Sequence, residues 1–322
     1  MKILITGISG QDGIFLTKLI KEEYSNFNII GTSRTLNSNQ FLKKLKINDL
    51  KENQLINIIN LDLESEQEVS KFLSDFSPNL VFNLAGPSSV NESIKNPELE
   101  YVITKIFDNL IQGLLESKNL CNFYQSSTSE MYGLNNKLKI YDETCKFVPN
   151  SPYASGKLSN HKKISSLRNK YDWNIYSGIM FNHESEYRKN EFLFMKVITT
   201  AYKIKNKNET TLKLGSLEYF RDWSYAKDIV EGILLLTQEG VEFDYVLGSG
   251  VGTSIENLVE IIFNLFDLDY KNYVEVDNSI LRINDPKVII SNPNKIYKEL
   301  GWKTKHTLEN FIEKVVKNLD FN

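Results

Sequence analysis

From the first residue to about Asn182, short apolar runs alternate with stretches in which apolar side chains return every three or four positions. Short apolar runs fit buried parallel strands, and the amphipathic stretches between them fit the helices of βα units. Six strands are predicted in this way, at Lys2–Thr6, Asn28–Gly31, Leu55–Leu61, Leu80–Leu84, Asn122–Ser127 and Trp173–Phe181. Between the first two, GIFLTKLIKEEY places Phe15, Leu16, Leu19 and Ile20 on one face, which predicts the first helix. After Asn182 the pattern loosens, with helices predicted at Ala226–Thr237, Ser254–Phe266 and Leu308–Asn318. The fold class expected is α/β: a Rossmann-type doubly wound parallel sheet over residues 1–182, then a smaller C-terminal α/β lobe over residues 183–322, with some chain crossing back. That lobe should pack at the carboxyl ends of the strands, where open α/β sheets bind ligands. There is no internal repeat, and the Lys/Asn-rich stretch Asn37–Gln54 reads as a solvated loop and helix.

Composition narrows the function classes. With 322 residues, 41% apolar and 25% charged, the chain can bury a sizeable core. Its 38 basic and 41 acidic residues are spread along the chain for a net charge of −3, so no basic stripe for nucleic acid stands out. The start, MKILITG, meets glycine too early for a signal segment, and no run approaches 18 apolar residues. A cytoplasmic protein without a membrane span is expected. Cys121 and Cys145 stand in no metal or redox spacing and read as reduced thiols, and no metal is expected.

Straight after the apolar run Ile3–Ile5 comes TGISGQDG, Thr6 to Gly13. Gly7, Gly10 and Gly13, between a strand and a helix, permit a tight turn and the close approach of a pyrophosphate to the helix N-terminus, with Gln11 and Asp12 in the same turn. At the end of the second strand, GTSRT offers Arg34 where a cofactor lacking the 2′-phosphate usually meets an acidic residue, so NADP is expected in preference to NAD. Asp62 and Leu63 end the third strand and NLAG, with Leu84 and Ala85, ends the fourth, where adenine and ribose would lie.

Two further stretches carry chemistry: SSTSEMYG, Ser126 to Gly133, and SPYASGK, Ser151 to Lys157. Tyr153 and Lys157 are four apart and share a helix face, so the ammonium can favour a tyrosinate and reach the cofactor ribose. Thr128 leaves the fifth strand where it can hydrogen-bond a substrate oxygen. Together they describe a hydride-transfer site in which Tyr153 takes a proton from an alcohol. Glu130 adds a second acid or base beside the same pocket. A carbon next to a newly formed ketone is acidic, so a carboxylate there can remove its proton and set up loss of water.

These stretches, together with FNHES (Phe181–Ser185), FRDWSYAKD (Phe220–Asp228) and LGW (Leu300–Trp302), resemble the extended short-chain dehydrogenases/reductases, and within them the GDP-mannose 4,6-dehydratases. Gln11-Asp12 and NHES are the most discriminating carriers. The resemblance implies a GDP-sugar substrate oxidised at C4 with Tyr153, Lys157 and Thr128, Glu130 removing the C5 proton and assisting loss of the C6 hydroxyl, and return of hydride to C6. It implies His183, Arg188 and Tyr101 at the cofactor, and Asn182, Lys196, Arg221 and Arg282 at the GDP moiety, where guanidinium groups suit a pyrophosphate. It also implies a homodimer or homotetramer, with the helix pair flanking Tyr153 as the dimer face.

The chain departs from the family near the substrate. Gly86-Pro87-Ser88-Ser89 stands where the family usually reads Ala-Gln-Ser-His, which puts Ser88 beside the sugar and leaves mannose, a heptose or another hexose open. Phe194-Met195 replaces a usual Thr-Arg, the stretch from about Phe266 to Arg282 is shortened, and RIND puts Asp285 in the acidic place of Arg-Pro-x-Glu. The other readings open at this point are a related 4-reductase, 4-epimerase or sugar-acid decarboxylase, and a binding protein that senses NADP without turnover.

Overall fold

The run Ile3–Leu4–Ile5 forms the buried centre of the first strand, and the same apolar logic builds the sheet around it. The computed structural model describes residues 1–24, 26–35, 37–45, 56–134, 139–240, 243–281 and 285–319. In chain order the elements are β1 (Lys2–Thr6), α1 (Gln11–Glu23), β2 (Asn28–Thr32), α2 (Ser38–Leu45), β3 (Ile56–Ile59), α3 (Glu66–Phe76) and β4 (Leu80–Asn83). There follow α4 (Val90–Lys95), α5 (Leu99–Glu116), β5 (Asn122–Thr128), β6 (Ile140–Tyr141), α6 (Pro152–Tyr171), β7 (Ile175–Met180), β8 (Asn182–Glu184) and α7 (Leu193–Lys205). The remainder is β9 (Leu212–Leu214), β10 (Phe220–Tyr225), α8 (Ala226–Glu239), β11 (Asp244–Leu247), β12 (Gly252–Ser254), α9 (Ile255–Leu265), β13 (Val274–Val276), β14 (Val288–Ser291), α10 (Asn294–Leu300) and α11 (Leu308–Asn318).

The chain packs as two compact units, Met1–Met131, Pro149–Ile179 and Val230–Tyr245 in the first and Tyr132–Val148, Met180–Ile229 and Val246–Asn322 in the second. Each draws on three segments, where the sequence pattern places one main boundary after residue 182. The crossing follows from the sheet: its order is β11-β7-β5-β4-β1-β2-β3, so the chain returns from its second half to lay β11 against β7. β1 pairs in parallel with β2 and β4, and β4 with β5. This is the Rossmann-type doubly wound arrangement, in which chain reversal beside β1 opens a crevice at the strand ends.

On one face of the sheet α3 and α5 bury Val69, Leu73, Leu110 and Leu114 against Val81 and Phe123. Trp173 packs edge-on to Phe123 with ring centroids 6.4 Å apart and donates Nε1–H to the Cys121 carbonyl. It thus precedes β7 rather than belonging to it, which shortens the sixth predicted strand. Leu63 joins this core and its carbonyl accepts from Asn109 Nδ2, while β3 stops at Ile59 and leaves Asp62 exposed in the turn beyond.

In the second unit β10 is central, pairing with β12, β14 and β8. Asp222, 1% exposed, accepts from the backbone N–H and hydroxyl of Ser249, the N–H of Gly250, and the N–H and hydroxyl of Ser291. Phe194 and Met195, read from sequence as a lost cationic contact, are core residues: both are at most 1% exposed, and Phe194 lies 5.6 Å from the Phe311 ring. Among the described residues no helix is long and apolar enough to cross a membrane.

Candidate active site

Local backbone demands explain the glycine turn. Gly7 has φ +67°, and a Cβ there would come within 2.9 Å of the Ala85 backbone, so only glycine lets the end of β1 lie against the end of β4. A Cβ on Gly13 would sit 2.5 Å from the Ile8 carbonyl oxygen, whereas one on Gly10 would meet only the Gly7 oxygen at 3.4 Å. α1 starts at Gln11, and Gly10 offers no side chain to its first turn. The result is a backbone cradle at a helix N-terminus, which attracts anions through the macrodipole and the first-turn N–H groups. Arg34 and Asp62 are exposed beyond β2 and β3, and Leu84 and Ala85 are half-buried beyond β4. The residues present therefore fit a dinucleotide pyrophosphate. Tyr101 is 63% exposed in the first turn of α5, and Ser88 is exposed in the loop before α4.

The strand register then aligns polar side chains in one row. Thr6 stands opposite Asn83, and Asn83 opposite Gln125. Thr6 Oγ1 donates to Asn83 Oδ1 at 2.8 Å, and Asn83 Nδ2 donates to Gln125 Oε1 at 2.8 Å. At the end of β5 the chain turns into a short 3₁₀ segment, Ser129–Tyr132, where the Glu130 N–H donates to Thr128 Oγ1 at 3.3 Å. That turn ties the Glu130 backbone to the Thr128 hydroxyl, two residues before it.

Tyr153 and Lys157 come from α6, whose start is specified by Ser151, accepting from Ala154 N–H, and by Pro152 in the first turn. Tyr153 N–H donates to the buried Ser93 hydroxyl at 3.2 Å, and Gly156 allows α6 to approach α5 with the Glu100 oxygen only 3.1 Å from where a Cβ would be. Lys157 is 7% exposed, and its Nζ lies 5.9 Å from the Tyr153 ring centre. Burial lowers its pKa from 10.5 to about 8, with the Asp12 carboxylate opposing the drop. Thr128, Glu130, Tyr153, Lys157 and the glycine turn all belong to the first unit.

The second unit holds the remaining candidates. His183 on β8 has Nδ1 2.7 Å from the Phe181 carbonyl, which only accepts, so Nδ1 carries the proton. Arg188 pairs with Glu184 at 3.2 Å and lies over the Phe192 ring. Lys196 Nζ donates to the Lys213 carbonyl. Asn182 is half-buried at the start of β8. Arg221 and Asp285, read separately from sequence, face each other at 2.9 Å with side chains 8% and 13% exposed, each neutralising the other's buried charge. Arg282 lies outside the described residues. The sequence reading passed over Ser93, Ser126 and Ser151 as site residues; Ser151 carries a signal, a cap residue directly before proline.

A family model described as GDP-mannose 4,6 dehydratase matches residues 4–315. The chain belongs to the GDP-mannose 4,6-dehydratase family. GDP-mannose 4,6 dehydratase 2 of Arabidopsis thaliana is 31% identical over 320 residues, covering 97% of this chain and 85% of that relative. Among solved structures, a dTDP-glucose 4,6-dehydratase of Bacillus anthracis in complex with NAD superposes with a TM-score of 0.83 at 20% identity, covering 98% of this chain and 96% of that one. RMD of Pseudomonas aeruginosa complexed with NADPH does so with 0.80 at 19% identity, covering 98% and 97%. At such identities the likeness is one of fold, and it is the doubly wound fold described above. The family's dependence on a nucleotide cofactor agrees with the cradle formed by Gly7, Gly10 and Gly13.

Proposed function

We propose that this member of the family is a GDP-sugar 4,6-dehydratase, converting GDP-mannose or a close GDP-sugar into the GDP-4-keto-6-deoxy sugar. The observation that carries the reading is the presence, within one unit, of an alcohol-oxidation set (Thr128, Tyr153, Lys157) and of Glu130, whose backbone N–H donates to Thr128 Oγ1. Gly7, Gly10, Gly13 and Arg34 would hold NADP, which would supply acceptance and return of a hydride. Tyr153 accepts the C4 hydroxyl proton, Thr128 hydrogen-bonds the same oxygen, and the Lys157 ammonium favours the tyrosinate. Once C4 is a ketone the C5 proton is acidic. Glu130 removes it and then protonates the departing C6 hydroxyl, so one carboxylate serves as base and acid and water leaves.

By the family resemblance, Tyr101, His183 and Arg188 contribute to cofactor binding. Asn182, Lys196, Arg221, Arg282 and Asp285 bind the nucleotide, and Ser88 lies beside the sugar. The protein works in the cytoplasm as a homodimer or homotetramer. The test is mass spectrometry of products from GDP-mannose, GDP-manno-heptose and UDP-glucose with catalytic NADP. Loss of one water from a GDP-sugar, lowered at least a hundredfold in Glu130→Gln, is expected. A product of unchanged mass, or one lighter by carbon dioxide, would mean epimerisation or decarboxylation, and dehydration at the wild-type rate in Glu130→Gln would remove Glu130 from the mechanism.

A further inference from the structure

The row of strand-end side chains does not stop at Gln125. Gln125 Nε2 donates to the Ser126 carbonyl at 3.1 Å, and the Ser126 hydroxyl donates to the Asn83 carbonyl at 3.0 Å. Because that hydroxyl has given its proton to Asn83, its lone pairs face the other way, and there the Lys157 ammonium is found. Nζ lies 2.8 Å from the Ser126 carbonyl oxygen and 3.2 Å from Ser126 Oγ. Ser126 is 5% exposed, so water does not compete for either acceptor. An amine buried among apolar groups would shed its proton, whereas one with two fixed oxygen acceptors keeps it.

We propose that Ser126 is the positioning residue of the proton-handling pair: it seats the Lys157 ammonium through its carbonyl and its hydroxyl and so keeps a charge beside Tyr153. This rests on the reading of Tyr153 and Lys157 given above. The other ionisable groups around the ammonium are Asp12 on α1, whose carboxylate favours the charged amine, and Tyr153 one turn earlier on α6. Asp12 also bears on the buried Tyr124 hydroxyl, disfavouring its ionisation after burial itself. Asp12 favours the charged amine by its field, and Ser126 supplies two hydrogen-bond acceptors at fixed distances. Asn83 and Gln125 orient Ser126, tying the ammonium to the strand that opens the glycine turn.

The experiment titrates Lys157 by NMR in the chain without cofactor, using ε-carbon-labelled lysine and assigning the signal by its loss in Lys157→Met. The wild-type midpoint is expected at about pH 8. In Ser126→Ala it falls by about one pH unit, the worth of one hydrogen bond to a charged group, and in Ser126→Thr, which keeps the hydroxyl, it returns to the wild-type value. Ser126→Cys keeps the size with only weak accepting power and lowers the midpoint as alanine does, which serves if the alanine variant does not fold. With substrate, the alkaline limb of the kcat/KM profile moves down by the same amount in alanine and cysteine. An unchanged midpoint in both variants, or an equal fall in threonine, would overturn the proposal. Because the titration needs no turnover, a midpoint that falls in alanine and recovers in threonine upholds it even if product analysis assigns another reaction.

Discussion

Lys157→Met should make the protein more stable while abolishing turnover. Burial has moved the amine from 10.5 to about 8, so below pH 8 the folded chain must hold a proton it binds less tightly than the unfolded chain does. A gap of about 2.5 pH units at about 1.4 kcal/mol each sets a ceiling of about 3.5 kcal/mol, in which the attraction to Asp12 is already counted. Methionine is similar in length; the Ser126 carbonyl keeps Gln125 Nε2, while the Ser126 hydroxyl still donates to Asn83 but loses the ammonium at its lone pair, which holds the gain below that ceiling. The sign with pH follows from the lowered value. As pH rises from 8 to 10.5 the folded wild type has shed the proton and the unfolded chain still carries it, so wild-type stability climbs and the variant's advantage disappears. Urea unfolding followed by tryptophan fluorescence at pH 7 and pH 10 reads the effect, with the variant ahead only at pH 7. A variant less stable at pH 7, or equally ahead at both, would refute the argument.

Gly13→Ala would drive a Cβ into the Ile8 backbone and should weaken NADPH binding more than tenfold, whereas Gly10→Ala, with only a 3.4 Å contact, should bind within about threefold of wild type; fluorescence titration separates the two. Asp222→Ala strands the Ser249, Gly250 and Ser291 donors and should cost about 3 kcal/mol or more in denaturant unfolding; a loss below about 1 kcal/mol would mean that water replaces the carboxylate. His161, buried with Nδ1 on Ser177 Oγ, has its pKa lowered first by burial and then by Arg168, against Asp244. The folded chain thus resists protonation, and stability present above 6.5 is lost as pH falls through that value; His161→Asn should flatten the decline in Tm between pH 7.5 and 5.5, and an unchanged decline would exclude His161 as its source.

All six predicted strands and the helix after β1 were legible because apolar runs set against glycine and polar turns report burial directly, and burial is what a parallel sheet imposes on each strand. The ends failed where a residue serves as a cap: Ser254 and Phe266 flank α9 instead of opening and closing it, because a cap carries the helix pattern without helical geometry. The candidate set Thr128, Glu130, Tyr153 and Lys157 was named from residue types at fixed spacing, and all four fall in the first unit. Its setting was not legible in that way. Arg221 and Asp285 are 64 positions apart, and only the fold, which pairs β10 with the strand that follows Asp285, brings the two side chains together. Phe194-Met195 looked like a deletion from a binding surface, yet it adds to a core. Ser126 stood inside a quoted motif, but its partner is a lysine on another element, reached because β4 and β5 align Asn83 with Gln125 and leave Ser126 turned toward α6. Sequence spacing thus identifies which groups do chemistry when they lie on one turn or one helix. The groups that set their charge come from neighbouring strands, and a parallel sheet joins such strands only through crossovers that erase any local spacing. For this chain the unread part of the mechanism is therefore electrostatic, and it is concentrated where three strands end around one buried amine.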